Sequence, residues 1–275
     1  MTDDPEFWER ELNPRVAVPN AVETYGEWPK WAAATRAARP HRANISYGPH
    51  PRDLMDIFPA AEPKGTVVFI HGGYWRAFSK DDFSWVAEGF VDLGYTTVVL
   101  NYPLCPQATL REIVDSTRRG LKVLIGEELG SAERDRIVVT GHSAGGYLTA
   151  LALATDWTAM GLPRDPFRGA VPISGVFELA PLIHTTMNAA IGLDAAEALA
   201  LSLSGTPPKS RAKLTLAVGG LESVEFHRQS EALALAWSGL GPKLLDLADR
   251  NHFTILDDLR LPGSPLHRAI LETLD

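Results

Sequence analysis

The chain has 275 residues, of which 45% are hydrophobic and 22% are charged, and its formal net charge is −8. This composition indicates a globular protein whose length is sufficient for a sizeable core. The acidic balance, with no long run of Lys and Arg, argues against nucleic acid as a partner. The single cysteine, Cys105, excludes an internal disulfide and a multi-cysteine metal site.

Neither a targeting signal nor a membrane span is expected. The first ten residues are acidic and lack the apolar core of a secretory signal. No apolar run approaches the roughly 18 to 20 residues that a bilayer-crossing helix needs. We therefore expect a soluble cytoplasmic protein that does not bind membranes. A homodimer is compatible with the sequence, which does not fix the oligomeric state.

The first 40 residues are rich in Trp, Pro and charge, and we expect them to form an arm packed on a main domain of residues 41–275. Within the arm, the pattern predicts a helix from Trp28 to Arg39, ending before Pro40. Two short alternating runs, 43–47 and 54–58, then predict an antiparallel edge hairpin.

From Lys64 onward, apolar strands alternate with helices. Strands are predicted at 66–70, 96–100, 136–140, 168–174, 213–218 and 243–248, and helices at 81–93, 110–125, 226–237 and 265–274. Continuous apolar strands in this rhythm predict an α/β fold: a mostly parallel central sheet covered by helices on both faces. Residues 176–211 interrupt the rhythm with weak helical signals, as in 194–203, and are expected to form a short lid-like insertion.

The sequence GHSAGG, residues 141–146, follows one of these strands and precedes a run of good helix formers. A serine between glycines at a strand-to-helix turn is typical of the nucleophile elbow of α/β-hydrolases. Side chains at Gly141 and Gly145 would collide with the neighbouring strand and helix. Ser143 is therefore the predicted nucleophile.

A serine nucleophile needs a base and an acid that orients the base, each in a loop at the carboxyl end of a strand. His252 follows the last predicted strand and is the predicted base. Glu222 follows the strand before it and is the favoured acid. Glu225, at the start of the next helix, and Asp249, at the end of the last strand, remain alternatives.

The negative oxygen of a tetrahedral intermediate needs donors fixed in advance. His71-Gly-Gly-Tyr-Trp75 directly follows the first strand of the parallel sheet, and its glycines allow backbone N–H groups to turn into the site. The predicted oxyanion donors are backbone N–H groups of this loop, together with that of Ala144 after the nucleophile.

Five segments together resemble the arylformamidase (kynurenine formamidase) branch of the α/β-hydrolases: HGGYWR, NYPLCP, GHSAGGYLTA, SGVFEL and GGLESVEFHRQS. The resemblance covers about residues 42–274. It implies hydrolysis of N-formylkynurenine to kynurenine and formate, without a metal or other cofactor. By position, Ser143 and His252 match the family's nucleophile and base, and Gly73, Tyr74 and Ala144 match its oxyanion donors.

Two departures from the family pattern stand out. Glu222 replaces the usual Asp of the triad and is one methylene longer. The segment Tyr102–Gln107 reads YPLCPQ where related hydrolases commonly have YRLAPE, so the usual arginine and carboxylate are absent.

The substrate pocket is expected to have aromatic walls and a few polar groups, which suits an aryl substrate. The candidate pocket residues are Tyr74, Trp75, Phe177, His184 and Asn188. The leading prediction is thus a serine hydrolase that cleaves a small acyl group, preferably formyl, from an aryl formamide. The alternatives are a short-chain carboxylesterase and a hydrolase-fold binding module without activity; the latter requires loss of a triad residue, and none is missing.

Overall fold

The computed structural model describes residues 4–275, which fold around one eight-stranded sheet. The strands are β1 (Arg42–Ser46), β2 (Leu54–Phe58), β3 (Gly65–Ile70), β4 (Tyr95–Leu100), β5 (Ile137–His142), β6 (Gly169–Ile173), β7 (Lys213–Gly219) and β8 (Lys243–Leu247). Their spatial order is β1-β2-β4-β3-β5-β6-β7-β8. The hairpin β1–β2 is antiparallel, β2 pairs antiparallel with β4, and all pairs from β4 to β8 are parallel.

The helices are α1 (Pro5–Leu12), α2 (Pro14–Ala17), α3 (Ala21–Gly26), α4 (Trp28–Ala38), α5 (Leu110–Val123), α6 (Ser131–Arg134), α7 (Ala144–Ala154), α8 (Asn188–Ile191), α9 (Ala195–Leu201), α10 (Val224–Ala236) and α11 (Pro265–Leu274). Alternate residues of β3 face two separate cores. Val68 and Ile70 pack with side chains of α5 and α7, whereas Val67 and Phe69 pack with side chains of α4 and α11. The sheet is thus covered on both faces, which confirms the predicted α/β-hydrolase fold.

One predicted helix is wrong. Residues 81–93, expected as one amphipathic helix, form three short 3₁₀ segments, Lys80–Asp82, Ser84–Gly89 and Val91–Leu93. Four consecutive side chains, Ser84 to Ala87, are buried, which a single apolar stripe of a surface helix does not provide. The segment ends at Gly94, which adopts φ 89°.

The amino-terminal segment lies against the face of the domain that carries the loops after β3, β6 and β7. Trp8, Leu12, Trp28 and Ala32 are buried. Three hydrogen bonds tie the segment to the loops of that face: Tyr74 Oη and Ser223 Oγ donate to the carbonyls of Leu12 and Glu11, and the Thr186 amide donates to Glu9. No helix in the described part of the chain has the length and apolar character needed to span a membrane.

The strand order creates a topological switch at β3. The chain moves from β3 to β4 on one side of it, then returns to place β5 on the other side. Loops that leave the carboxyl ends of β3 and β5 therefore diverge and leave a crevice, where ligands bind in open α/β sheets. The HGGYW loop and Ser143 follow these two strands.

Candidate active site

Ser143 occupies a sharp turn between β5 and α7. Its backbone has φ 55° and ψ −117°, a conformation that costs a non-glycine residue roughly 1 to 3 kcal/mol. Its N–H donates to the Ile173 carbonyl at 2.8 Å, and its own carbonyl accepts the first hydrogen bond of α7, from Tyr147. The neighbouring strand and the helix thus hold the strained turn that presents the Ser143 side chain at the sheet edge.

The glycines around Ser143 are sterically required, as predicted. A Cβ atom on Gly145 would lie 2.0 Å from the Ile70 carbonyl oxygen, and one on Gly141 would lie 2.6 Å from the Gly145 oxygen. These are backbone contacts, which cannot move as a flexible side chain can. The motif therefore lets α7 begin directly against the end of β3.

His252 and Glu222 form a buried pair beside the serine. His252 Nδ1 lies 2.6 Å from Glu222 Oε2, and both side chains are at most 5% exposed. Because a carboxylate oxygen only accepts, Nδ1 carries the proton and Nε2 of the neutral ring is the basic nitrogen. The His252 ring is packed between the rings of Phe226 and His142, at 4.6 and 4.5 Å.

The second oxygen of Glu222 is also saturated. Oε1 accepts from the Gly219 amide at 2.7 Å and from Ser174 Oγ at 2.5 Å. These bonds fix the longer glutamate side chain where the family commonly has Asp. Ser174, which follows β6 with φ 50°, is a positioning residue that sequence reasoning missed.

The other two candidate acids lie elsewhere. Glu225 binds Arg228 and Gln229 rather than His252. Asp249 is exposed at the end of β8. Of the three carboxylates considered, Glu222 is the one brought into contact with His252.

Glu225, Arg228 and Gln229 explain the EFHRQS segment. Gln229 Oε1 accepts from the amides of Phe177 and Glu178, and its amide nitrogen donates to Glu225. Arg228 joins Glu225 to Glu178. This network, in which the Glu225 and Gln229 side chains are buried, anchors the chain that leaves β6 to α10, which begins directly after the loop that carries Glu222.

His142 supports the loop that carries His252. Its Nε2 lies 2.7 Å from the His252 carbonyl oxygen and donates to it. Burial, and then the nearby His252, hold the pKa of His142 well below its ordinary value. His142 therefore stays neutral, and it does not repel a positive charge that forms on His252.

The loop after β3 has an unusual backbone. Gly73, Tyr74 and Trp75 have φ values of 107°, 49° and 53°. A Cβ on Gly73 would lie 2.4 Å from the Ala77 carbonyl oxygen, so this position needs glycine. Within residues 4–275, the N–H groups of Gly73, Tyr74 and Ala144 have no protein acceptor. They are available to a ligand.

Side chains from neighbouring loops hold this backbone in place. Tyr102 Oη donates to the His71 carbonyl at 2.8 Å, and Arg52 donates to the Phe78 and Tyr102 carbonyls. Burial lowers the pKa of His71 to about 4, and this neutral ring has Nδ1 2.8 Å from the Gly72 oxygen. Tyr102 and Arg52 thus hold the loop in place although the arginine and carboxylate of the usual YRLAPE segment are absent.

A narrow cavity opens beside Ser143 and His252. Its walls combine aromatic rings, two arginines and backbone of the HGGYW loop. The lining residues are Asn13, Pro14, Arg15, Trp28, Gly72, Gly73, Tyr74, Arg76, Phe78, Phe83, His142, Ser143, Met187, His252 and Phe253. Among residues 4–275, no group of three or more His, Cys, Asp and Glu side chains is arranged to hold a metal ion.

Four of the five predicted pocket residues do not line this cavity. Trp75 is buried edge-on against Tyr147, and Phe177 is buried in the same core. Asn188 closes a local turn by bonding both the amide and the carbonyl of Leu193. His184 ends a short 3₁₀ segment of the insertion. Of the five, Tyr74 lines the cavity.

The aromatic walls come instead from Trp28, Phe78, Phe83 and Phe253. Sequence reasoning missed them because they come from an arm, two loops and a 3₁₀ segment that share no motif. The one available signal was the cluster of tryptophans in the first 40 residues. The Trp28 ring centroid lies within 6.3 Å of those of Phe78 and Phe253, which links the arm to the two loops that carry these rings.

The burial of Trp75 in the core, outside the cavity, leads to a testable prediction. Trp75→Ala should lower the free energy of unfolding by roughly 3 to 5 kcal/mol, because it empties a packed core site. It should leave the kcat/KM ratio of aryl to small aliphatic substrates unchanged. Phe78→Ala, which removes a cavity wall, should lower that ratio while costing less stability. Denaturant titration and paired kinetics test both variants, and a ratio that falls with Trp75→Ala would restore Trp75 to the pocket.

The parallel sheet, the strained serine at its switch point and the buried His–Glu pair define an α/β-hydrolase. The BD-FAE family model matches residues 55–164. Kynurenine formamidase from Danio rerio is 29% identical over 228 residues, covering 78% of this chain and 76% of its own length. Kynurenine formamidase from Salmo salar is 28% identical over 227 residues, with the same coverage of both chains.

Solved structures extend the similarity to the whole chain. A protein from Silicibacter sp. TM1040, provisionally described as a thioesterase, is 31% identical, with a TM-score of 0.85 and coverage of 98% of this chain and 99% of its own. Esterase B from Lactobacillus rhamnosis shares the fold at 20% identity, with a TM-score of 0.64 and 92% of each chain covered. The chain has the α/β-hydrolase fold and is similar to kynurenine formamidases over about three quarters of its length. It is a hydrolase of the formamidase and esterase type.

Proposed function

We propose that the chain is a serine hydrolase that removes a formyl group from an aryl formamide such as N-formylkynurenine. The observation that carries this proposal is the buried pair of His252 Nδ1 and Glu222 Oε2, 2.6 Å apart, in which His252 lines the cavity beside Ser143 and Glu222 lies behind it. The pair fixes the His252 tautomer in which Nε2 accepts a proton.

In the proposed reaction, Ser143 Oγ attacks the formyl carbon and His252 Nε2 takes the hydroxyl proton. Glu222 stabilises the imidazolium that forms. The N–H groups of Gly73, Tyr74 and Ala144 stabilise the negative oxygen of the tetrahedral intermediate. His252 then gives its proton to the leaving aryl amine, and a water molecule, deprotonated by His252, cleaves the formyl-enzyme to formate.

Two observations support an aryl formamide. The cavity next to Ser143 is narrow and lined by five aromatic side chains, Tyr74 among them, which suits an aryl leaving group. The curated relatives that cover three quarters of the chain are kynurenine formamidases. Since formyl is the smallest acyl group, most of the substrate would occupy the leaving-group side of this cavity.

A series of acyl groups on one aryl leaving group tests the proposal. Formyl, acetyl and butyryl compounds are compared by kcat/KM, each divided by the rate of its uncatalysed hydrolysis. We expect kcat/KM to fall steeply from formyl to butyryl. A methylene that fits a hydrophobic pocket gains only ~1 to 3 kcal/mol of binding free energy, whereas a methylene that clashes with the pocket can cost more than that. A preference for butyryl would contradict the formamidase assignment.

The second candidate is a short-chain carboxylesterase. It is favoured by the structural similarity to esterases and by a carboxylic ester hydrolase from Mycobacterium tuberculosis, LipM, which is 32% identical over 52% of this chain. A butyryl preference with no turnover of aryl formamides would support it. Adding S-phenyl thioacetate to the same substrate series tests for the thioesterase activity ascribed to the Silicibacter protein.

A further inference from the structure

Two positive charges face the cavity of an acidic protein. Arg15, from α2, and Arg76, from the HGGYW loop, both line it, although the whole chain carries a formal net charge of −8. No described lining residue is Asp or Glu. The carboxylate of Glu222 lies behind His252 with both oxygens occupied. The mouth of the cavity is therefore locally cationic.

Neither guanidinium has an acidic partner among residues 4–275. By contrast, nine other arginines in the described part of the chain form ion pairs with carboxylates, as Arg39 does with Asp92 at 2.6 Å. Arg15 lies over the ring of Tyr25, at 5.2 Å, which leaves its N–H edge free. The charge of Arg76 interacts at a distance with Glu9, but the Glu9 carboxylate forms its hydrogen bonds with Asn13 and Thr186 instead.

We propose that Arg15 and Arg76 bind an anionic group, a carboxylate, on the leaving-group part of the substrate. This inference rests on the proposed function, because it places the scissile carbonyl at Ser143. The acyl carbon then lies deep in the cavity, the aryl ring lies between the aromatic walls, and the carboxylate reaches the mouth. Guanidinium groups suit this role, since their planar N–H edges match a carboxylate.

The proposed anion site also gives the amino-terminal arm a role in substrate binding. Arg15 is carried by the amino-terminal segment, which the Tyr74 and Ser223 hydroxyls tie to the HGGYW and acid loops. An arginine on a tethered segment costs less ordering on binding than one on a free tail. Arg15 and Arg76 are therefore specificity-determining residues rather than catalytic ones.

Binding without turnover tests the inference directly. The dissociation constants of 3-(4-hydroxyphenyl)propanoate and its uncharged amide are measured by calorimetry on the wild-type protein. We expect the carboxylate to bind about 10-fold more tightly, within the range for charge-assisted hydrogen bonds. Its advantage should shrink when NaCl is raised from about 0.02 to 0.5 M, because salt screens exposed charges.

Variants separate the role of these arginines from a general charge effect. Arg15→Gln and Arg76→Gln should each reduce the carboxylate preference roughly 3- to 5-fold, and the double variant should abolish it. Arg76→Lys should retain part of it. The control is Arg211→Gln, an exposed arginine outside the cavity, which should leave the preference intact. Thermal melts verify that all variants are folded.

The outcomes distinguish this inference from the proposed function. Equal binding of carboxylate and amide, or a preference that survives the double variant, would overturn the anion site whatever the activity. A second pair of compounds, 3-(4-formamidophenyl)propanoate and its amide, measures turnover. A 10-fold lower KM for the carboxylate supports the site. Equal kcat/KM for the two formamides would overturn the anion site but leave the formamidase proposal standing. Tight carboxylate binding with no formamide turnover would retain the anion site and overturn the formamidase proposal.

Discussion

Ser143→Ala should lower kcat on any acyl substrate by about 10⁵- to 10⁶-fold, the scale at which a serine nucleophile of a triad acts. The variant loses the atom that forms the acyl-enzyme but keeps the turn. Its φ of 55° remains strained for alanine, and the Ile173 carbonyl still accepts the backbone N–H. We therefore expect a folded protein with a thermal midpoint close to that of the wild type.

A fluorophosphonate probe gives the matched chemical test. It should label wild-type protein at Ser143 and leave Ser143→Ala unlabelled. Ser131→Ala, which alters an exposed serine at the start of α6, serves as a control and should be labelled and active as wild type. Labelling of another serine, or turnover by Ser143→Ala within 10-fold of the wild type, would remove Ser143 from the mechanism.

Glu222→Gln should lower kcat by up to about 10⁴-fold, the loss seen when the acid of a triad holds its histidine in the wrong tautomer. In the wild type, Oε1 accepts from Gly219 and Ser174, and Oε2 accepts from His252 Nδ1. A glutamine that keeps its oxygen on Gly219 and Ser174 must turn its NH₂ towards His252. The ring then presents an unprotonated Nδ1 to this NH₂, and Nε2 holds the proton instead of accepting one.

Two other carboxamide variants provide the contrast. Glu225→Gln disturbs the buried Arg228–Gln229 network, so it should lower stability more than kcat. Asp249→Asn changes an exposed side chain and should have little effect on either. The kcat values of the three variants, measured on one substrate at several pH values, test the assignment. Equal and small losses in all three would mean that Glu222 is not the acid.

The sheet and the positions of Ser143, Glu222 and His252 were predictable because each depends on local pattern. Apolar runs define the parallel strands. Because the carboxyl ends of parallel strands meet at one edge of the sheet, the loops that follow those strands meet there too. Glycine spacing around Ser143 reflects a steric demand that any chain with this turn must meet. These features can be recognised in a single sequence because each one is a property of a short segment.

The substrate cavity was not predictable from such segments. Trp75 adjoins the oxyanion loop in sequence, yet its positive φ turns the indole into the core against Tyr147. Trp28 and Arg15 lie more than 100 residues from Ser143 and reach it through the packing of the arm. The 3₁₀ geometry of 84–89, which helps to place Phe83 in the wall, depends likewise on tertiary burial rather than on its own periodicity.

The most direct test of the central claim is the release of kynurenine and formate from N-formylkynurenine by purified wild-type protein, beside p-nitrophenyl butyrate as the ester competitor. We expect a higher kcat/KM for N-formylkynurenine than for the butyrate, and loss of both activities in Ser143→Ala. No release of formate from N-formylkynurenine, with rapid hydrolysis of the butyrate, would contradict the central claim.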